Sequence, residues 1–317
     1  MGVLFAWPSE LKTEAFGLAL TFIVPASVCN LRCGFCAIRH RHEAVNSTLS
    51  VNDYCYFLSE IARKEPLAIS AIQGYEPLLP ESWQYTSRLL NTARECGVPR
   101  SIVTNGILLA ERASDLMKLD PTGVTISIDS STAYAHDKIR GVDGALEKTL
   151  AGLRAILDFP GFANRITVNS VLFPRRRNLL EGMPALLERF GITHWVVGPL
   201  LRIGQDTIGG PVGNSNQIID DLLHLRDAAA RHGVSVVLDD ELGLLPCDFG
   251  ESVVRRFERP DGLIRLAPDG ACSAGKEILR AVGQKTPRWV PSEMEPVEFV
   301  RSVLSPAMQA DVFGVAA

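Results

Sequence analysis

The sequence has no run of 18 or more apolar residues, so nothing in it reads as a transmembrane helix. It has no basic excess either. Lys and Arg number 32 against 36 Asp and Glu, for a formal net charge of −4. Nucleic acid is a poor partner for such a chain, because phosphate binding needs a concentrated cationic surface. The first residues, MGVLFAWPSELKTEAF, lack a positively charged n-region and a small-residue cleavage site, which leads us to expect a cytoplasmic protein. Position 6 is Ala rather than Ser or Thr, which removes the myristoylation reading of Gly2. A secreted disulfide framework is also excluded. The seven cysteines are odd in number, and three of them fall between positions 29 and 36. One dense basic run, Arg175-Arg176-Arg177, reads as a solvated turn, with an anionic substrate group or a partner surface as alternatives.

What the chain does have is alternation. Short β-branched runs at Leu18–Pro25, Leu67–Gln73, Arg100–Thr104, Gly123–Ile128, Arg165–Phe173 and His194–Pro199 are separated by segments with helical spacing. The helical segments are Val51–Lys64, Ser82–Cys96, Ala110–Lys118, Asp143–Asp158 and Asn178–Phe190, followed by Asn216–His232 and a short seventh strand, Val234–Leu238. Parallel strands need crossover helices, so this order predicts an α/β protein with a parallel sheet. Six such units fit a partial TIM-like (β/α)6 barrel with a C-terminal extension. A flavodoxin- or Rossmann-type open sheet is the runner-up, weakened because no G-x-G-x-x-G opens a helix after the first strand. The expected organisation is an N-terminal segment over 1–17, the partial barrel over 18–239, and an extension over 240–317 that packs on the barrel or closes its mouth. Gly204–Asn216, rich in glycine, is expected to be a loop at the C-terminal end of strand six, where barrel active sites lie.

The chemistry concentrates in Cys29-Asn-Leu-Arg-Cys33-Gly-Phe-Cys36, directly after the first strand. Thiolates are soft ligands suited to iron–sulfur clusters, zinc or copper(I). Structural zinc takes four closed ligands, and no Cys or His pair completes the set at standard spacing, although His40 and His42 follow closely. An iron–sulfur cluster on three thiolates leaves one iron open, as a catalytic metal requires. Cys29, Cys33 and Cys36 are therefore the expected metal ligands.

This C-x3-C-x2-C loop, with the aromatic Phe35 before the last Cys, resembles the signature loop of the radical S-adenosylmethionine (SAM) superfamily. The resemblance implies a [4Fe–4S] cluster whose open iron chelates SAM. It also implies reductive cleavage of SAM to a 5′-deoxyadenosyl radical that abstracts a substrate hydrogen. Further segments follow in the family's order. Gln73-Gly74-Tyr75-Glu76-Pro77 resembles G-G-E-P, whose backbone and Glu receive the SAM ammonium group; Tyr75 replaces a glycine and must accept that backbone geometry. Thr104-Asn105-Gly106 resembles T-N-G, Ser127-Ile128-Asp129 resembles S-x-D, and His136-Asp137-Lys138-Ile139-Arg140-Gly141 resembles H-D-x-I-R-G. Asn169 and Gly198 fall where the family contacts SAM. By resemblance, the expected cofactor-binding residues are Phe35, Gly74, Tyr75, Glu76, Asn105, Ser127, Asp129, Arg140, Asn169 and Gly198.

Four cysteines remain. Cys55 and Cys96 are expected to be inert core residues. Cys247 and Cys272 lie in the extension, and Asp269-Gly-Ala-Cys272 resembles part of a SPASM or twitch element. Two cysteines are too few for an auxiliary cluster, so the product radical is expected to be quenched by a hydrogen atom rather than oxidised. Cys247 is the candidate hydrogen donor and Cys272 the second, which is the logic of a radical epimerase. Dehydrogenation, dehydration and ribosomal-peptide modification are the alternatives, with a non-catalytic iron–sulfur or zinc sensor or electron carrier as the reading from another class. Asp239, Asp240, Glu241 and Asp248 would suit a cationic, amino-sugar-like substrate or form a solvated rim. The expected partners are a small polar metabolite, possessing no nucleic-acid or membrane character, and a one-electron reductant such as flavodoxin or ferredoxin.

Overall fold

Helix α1 (Val51–Lys64) shows how local chemistry sets an element. Asp53 N–H donates to Ser50 Oγ while Ser50 N–H donates back to Asp53 Oδ2 at 2.7 Å, a reciprocal cap that stops the chain from fraying. Behind the cap, Tyr54, Phe57, Leu58 and Ile61 are buried at helical spacing. The same amphipathic logic builds α2 (Pro80–Glu95), α3 (Leu109–Lys118), α5 (Ala145–Leu157), α6 (Met183–Arg189), α7 (Ser215–Ala230) and α8 (Pro296–Val303), whereas α4 (Ala133–Arg140) buries only His136 and Arg140. The computed structural model describes residues 18–25, 29–36, 47–203, 208–239, 255–257, 262–274 and 287–304.

Six strands alternate with these helices: β1 (Leu18–Ile23), β2 (Leu67–Gln73), β3 (Arg100–Thr104), β4 (Gly123–Ser127), β5 (Ile166–Leu172) and β6 (His194–Pro199). They lie side by side in chain order, all parallel. Right-handed crossovers that never reverse direction place the helices that connect the strands on one face of the sheet. The core reflects this. One large cluster joins the helices to Leu20, Phe22, Ile72, Ile102, Ile126, Val168 and Trp195 of the strands. The opposite, inward face holds a small cluster of Ala19, Ile69, Ala71 and Leu263, interleaved with the polar residues Thr21, Thr125 and Thr167. Strands therefore alternate apolar-out with small-or-polar-in, the pattern of a sheet curling around a polar lumen.

Three expectations change. Beyond β6 come a hairpin, β7 (Leu201–Ile203) with β8 (Ile208–Pro211), and then β9 (Ser235–Asp239), which pairs with β6. Part of the expected loop over Gly204–Asn216 is thus a strand. The extension is built into the sheet rather than laid across it: β11 (Leu263–Leu266) runs parallel to β1, β10 (Arg255–Phe257) parallel to β9, and β12 (Cys272–Ala274) antiparallel to β11. The ten-stranded order is β10-β9-β6-β5-β4-β3-β2-β1-β11-β12. The exposed edge of β1 explains this, since an unpaired strand edge is a template for another segment. Cys55 is buried as expected, whereas Cys96 is exposed. The reason is positional: α2 ends at Glu95, and Cys96 is its C-cap, past the buried face.

Candidate active site: a cysteine loop above the parallel strands

The loop from Cys29 to Cys36 leaves the C-terminal end of β1 and forms its own small apolar nest. Leu31, Cys33 and Ala145 are buried there, with Cys29, Phe35, Cys36, Ile107 and Val142 packed around them. Burial pushes the Cys29 thiol up to about 12, and the neighbouring Glu76, Cys33 and Cys36 push it the same way. Desolvation raises Cys33 as well, opposed by the Arg140 guanidinium. Thiols in such a nest become thiolates only when a metal centre compensates the lost hydration.

Next to Cys29 stand the ends of β2 and β3. Gly74 and Tyr75 have positive φ values of 95° and 38°. A side chain at Gly74 would collide with Ile23 Cγ2 at 2.6 Å, while Tyr75 adopts the left-handed geometry that its position requires. The Tyr75 carbonyl lies 3.6 Å from Cys29 Sγ. Glu76 follows, completely buried. Its carboxylate accepts from Thr104 Oγ1 at 2.6 Å, Asn105 N–H at 2.7 Å and Leu78 N–H at 3.1 Å. Both oxygens accept from protein donors, so Glu76 ties β2 to β3. Asn105 closes the other side: its Nδ2–H donates to Asn30 Oδ1 at 2.7 Å and approaches Cys29 Sγ at 3.9 Å.

The segment after β4 holds Cys33. Asp129 and Arg140 are buried and ion-paired, Nη2 to Oδ2, at 2.7 Å. Arg140 Nη1 reaches Cys33 Sγ at 3.9 Å, and the guanidinium lies over the Phe35 ring at 5.5 Å. Arg32 N–H donates to the Arg140 carbonyl at 2.8 Å. His136, held neutral because burial lowers it to about 3, accepts from Asp129 N–H through Nδ1. Asp137 caps α5 by accepting from Gly144 and Leu146 N–H. Gly141, at φ 72°, passes under Arg32, and a Cβ there would sit 2.7 Å from the Arg32 carbonyl. We expect Gly141→Ala to cost roughly 1–3 kcal/mol of stability from φ strain and this clash. It should also loosen cluster retention, read as iron lost on desalting; an unchanged iron content would show that the contact does not shape the loop.

Comparison with known proteins now decides the family. Residues 23–176 match the Radical SAM superfamily. They are a radical SAM domain. The AdoMet-dependent heme synthase of Methanosarcina barkeri is 32% identical over 48% of this chain and 42% of its own length. The PqqA peptide cyclase of Rhodopseudomonas palustris is 29% identical over 55% of this chain and 44% of its own. The matches thus span less than half the length of these curated relatives. In fold, SuiB of Streptococcus suis bound to S-adenosylmethionine superposes with a TM-score of 0.67 at 14% identity, covering 93% of this chain and 67% of that one.

The cofactors of the radical SAM domain are a [4Fe–4S] cluster and SAM, and the residues present fit them. Among the described residues no three His, Cys, Asp or Glu groups close around a single ion. Two buried donors beside the cysteines, Asn30 Nδ2 and Arg140 Nε, have no partner among the described residues, as expected of N–H groups left for cluster sulfur. Ser127 and Asn169 are register neighbours on β4 and β5. Both are half-buried on the inward face, and their side chains make no hydrogen bond among the described residues. Gly198 lets Asp239 of β9 pack close, a Cβ there falling 3.0 Å from Asp239 Cβ. Asp239 is buried, not part of a solvated rim.

Other expected residues lie elsewhere. Cys272 is 1% exposed in the large outer core, paired with Leu266, on the face away from the lumen, where it packs as a buried thiol. Cys247, Asp240, Glu241, Asp248, His40 and His42 lie outside the described residues. Of the basic run, Arg177 pairs with Asp221 and Glu181, and Arg175 and Arg176 are exposed. Sequence reasoning gave no role to Thr21 and Gln73, whose buried Oγ1 and Nε2 atoms have no partner among the described residues. The strand alternation that places them inward is the signal that points to them.

Proposed function

We propose that this protein is a radical SAM enzyme that generates a 5′-deoxyadenosyl radical and takes a hydrogen atom from a polar substrate held in the lumen. The observation that carries the reading is the nest of Cys29, Cys33 and Cys36 at the C-terminal end of β1, flanked by unpartnered N–H donors of Asn30 and Arg140. When bound, the reduced cluster supplies the electron that cleaves SAM. The chain supplies the surroundings: Tyr75 offers its carbonyl beside Cys29, Glu76 and Asn105 fix the ends of β2 and β3, and Ser127 and Asn169 present free polar groups inward. Thr21 and Gln73 support a polar rather than apolar substrate, because unpartnered buried polar atoms favour a ligand that can satisfy them.

Cys247 remains the proposed hydrogen donor and epimerisation the proposed outcome for a small metabolite. A second reading, modification of a peptide, is favoured by one specific observation: a relative that matches over half of this chain is named a peptide cyclase. No described helix is long and apolar enough to cross a membrane.

The test is anaerobic reconstitution with iron and sulfide, reduction, addition of SAM, and measurement of 5′-deoxyadenosine. Its formation supports the reading; a reducible cluster whose EPR signal ignores SAM speaks for the electron-carrier alternative. For the donor, turnover of an identified substrate in D2O should place one deuterium in product, and Cys247→Ala should stop release of that product. Unchanged product and deuterium content in Cys247→Ala would remove the donor role.

A further inference from the structure

Arg140 is a buried cation with an unusual set of neighbours. Its Nη2 is committed to Asp129 at 2.7 Å, Nη1 stands 3.9 Å from Cys33 Sγ, and Nε has no partner among the described residues. The mechanical clamp between α4 and the cysteine loop does not need this side chain. It is made by backbone, through the Arg32 N–H to Arg140 carbonyl bond and the close passage of Gly141. Burying an ion pair is costly, and an apolar pair of similar volume would often serve packing as well. The pair is also asymmetric: the guanidinium faces Cys33, and the carboxylate lies behind it, where Oδ1 accepts Val171 N–H at 2.9 Å.

We propose that the Asp129–Arg140 pair sets the reduction potential of the cluster bound by Cys29, Cys33 and Cys36, its positive end stabilising the reduced, more anionic state. The proposal rests on the function argued above. Iron–sulfur potentials follow net charge and hydrogen bonds to the sulfurs, and a cation 3.9 Å from a ligand sulfur in a low-dielectric nest supplies both. Arg140 is therefore a tuning residue, acting through Cys33 rather than on substrate.

The test is an EPR-monitored redox titration of three reconstituted proteins without substrate. These are the wild type, Asp129→Asn, and the double variant Asp129→Asn with Arg140→Met. Asp129→Asn keeps an acceptor for Val171 N–H and leaves the cation uncompensated, so its cluster should reduce most easily. The double variant removes both charges without stranding either, and its cluster should reduce least easily. The predicted order is Asp129→Asn above wild type above the double variant. The two variants should differ at least tenfold in the reduction equilibrium, about 59 mV for one electron. Equal potentials in all three, or the reverse order, would overturn the proposal. So would a double variant that fails to hold iron while Asp129→Asn titrates as wild type does, because that pattern belongs to a structural clamp. A wild type that takes up no reducible cluster would overturn the functional reading itself.

Discussion

Cys33→Ala should give a folded protein that holds no intact cluster and forms 5′-deoxyadenosine only at background, whereas Cys272→Ala should do the reverse. Cys33 belongs to a small nest of Leu31 and Ala145, separate from the main core. Losing its sulfur removes one of three ligands and little else, at about 1 kcal/mol of stability. Cys272 is 1% exposed within the large outer core. Its truncation leaves a void there and should cost roughly 1–2 kcal/mol, read as a lowered denaturation midpoint, with iron content and 5′-deoxyadenosine unchanged. Cys29→Ala and Cys36→Ala should follow Cys33→Ala. If Cys272→Ala lost the cluster while Cys33→Ala kept it, the metal site would be misassigned.

The strands that carry this site were legible because each is a short apolar run between turn residues; β2, β3 and β6 fall at the boundaries read from sequence. The cysteine loop was legible because three thiols at that spacing have few other uses. Helix α4 was not. Its eight residues, AYAHDKIR, bury only His136 and Arg140 and show no apolar stripe. The roles within that segment depend on distant partners: Arg140 meets Cys33, 107 positions away in the chain. The motif order pointed to these residues but not to their protein partners: Asp129, Arg140 and Glu76 are buried and paired with protein groups. A short strand over Gly262–Leu266 is legible in the sequence and is β11; what was hidden is β10 and the pairing of both strands, which is decided by the open sheet edges they complete. Local pattern speaks for an element, whereas tertiary context speaks for its neighbours.

Glu76 carries the second large effect, and its sign is fixed by burial. Three donors reach its carboxylate, yet complete desolvation outweighs them and raises it from an ordinary 4.5 to about 7. The folded state therefore binds this proton more tightly than the unfolded chain does. The stability it contributes is full below about pH 4.5 and is lost as pH rises through about 7. The size is on the order of 3 kcal/mol, at about 1.36 kcal/mol per pH unit. Urea denaturation of cluster-free protein should thus show a higher midpoint at pH 5.5 than at pH 8. Glu76→Gln should flatten this difference, because the amide does not titrate, and should cost roughly 1–3 kcal/mol at low pH by leaving one donor without its acceptor. Glu76→Ala strands the donors of Thr104, Asn105 and Leu78, so a loss of about 3–5 kcal/mol is expected. Both variants should weaken SAM binding by releasing the Tyr75 backbone beside Cys29, while the cysteine loop still takes up iron. A pH slope that persists in Glu76→Gln would assign the titration to another group, and undiminished SAM affinity in both variants would detach Glu76 from the site.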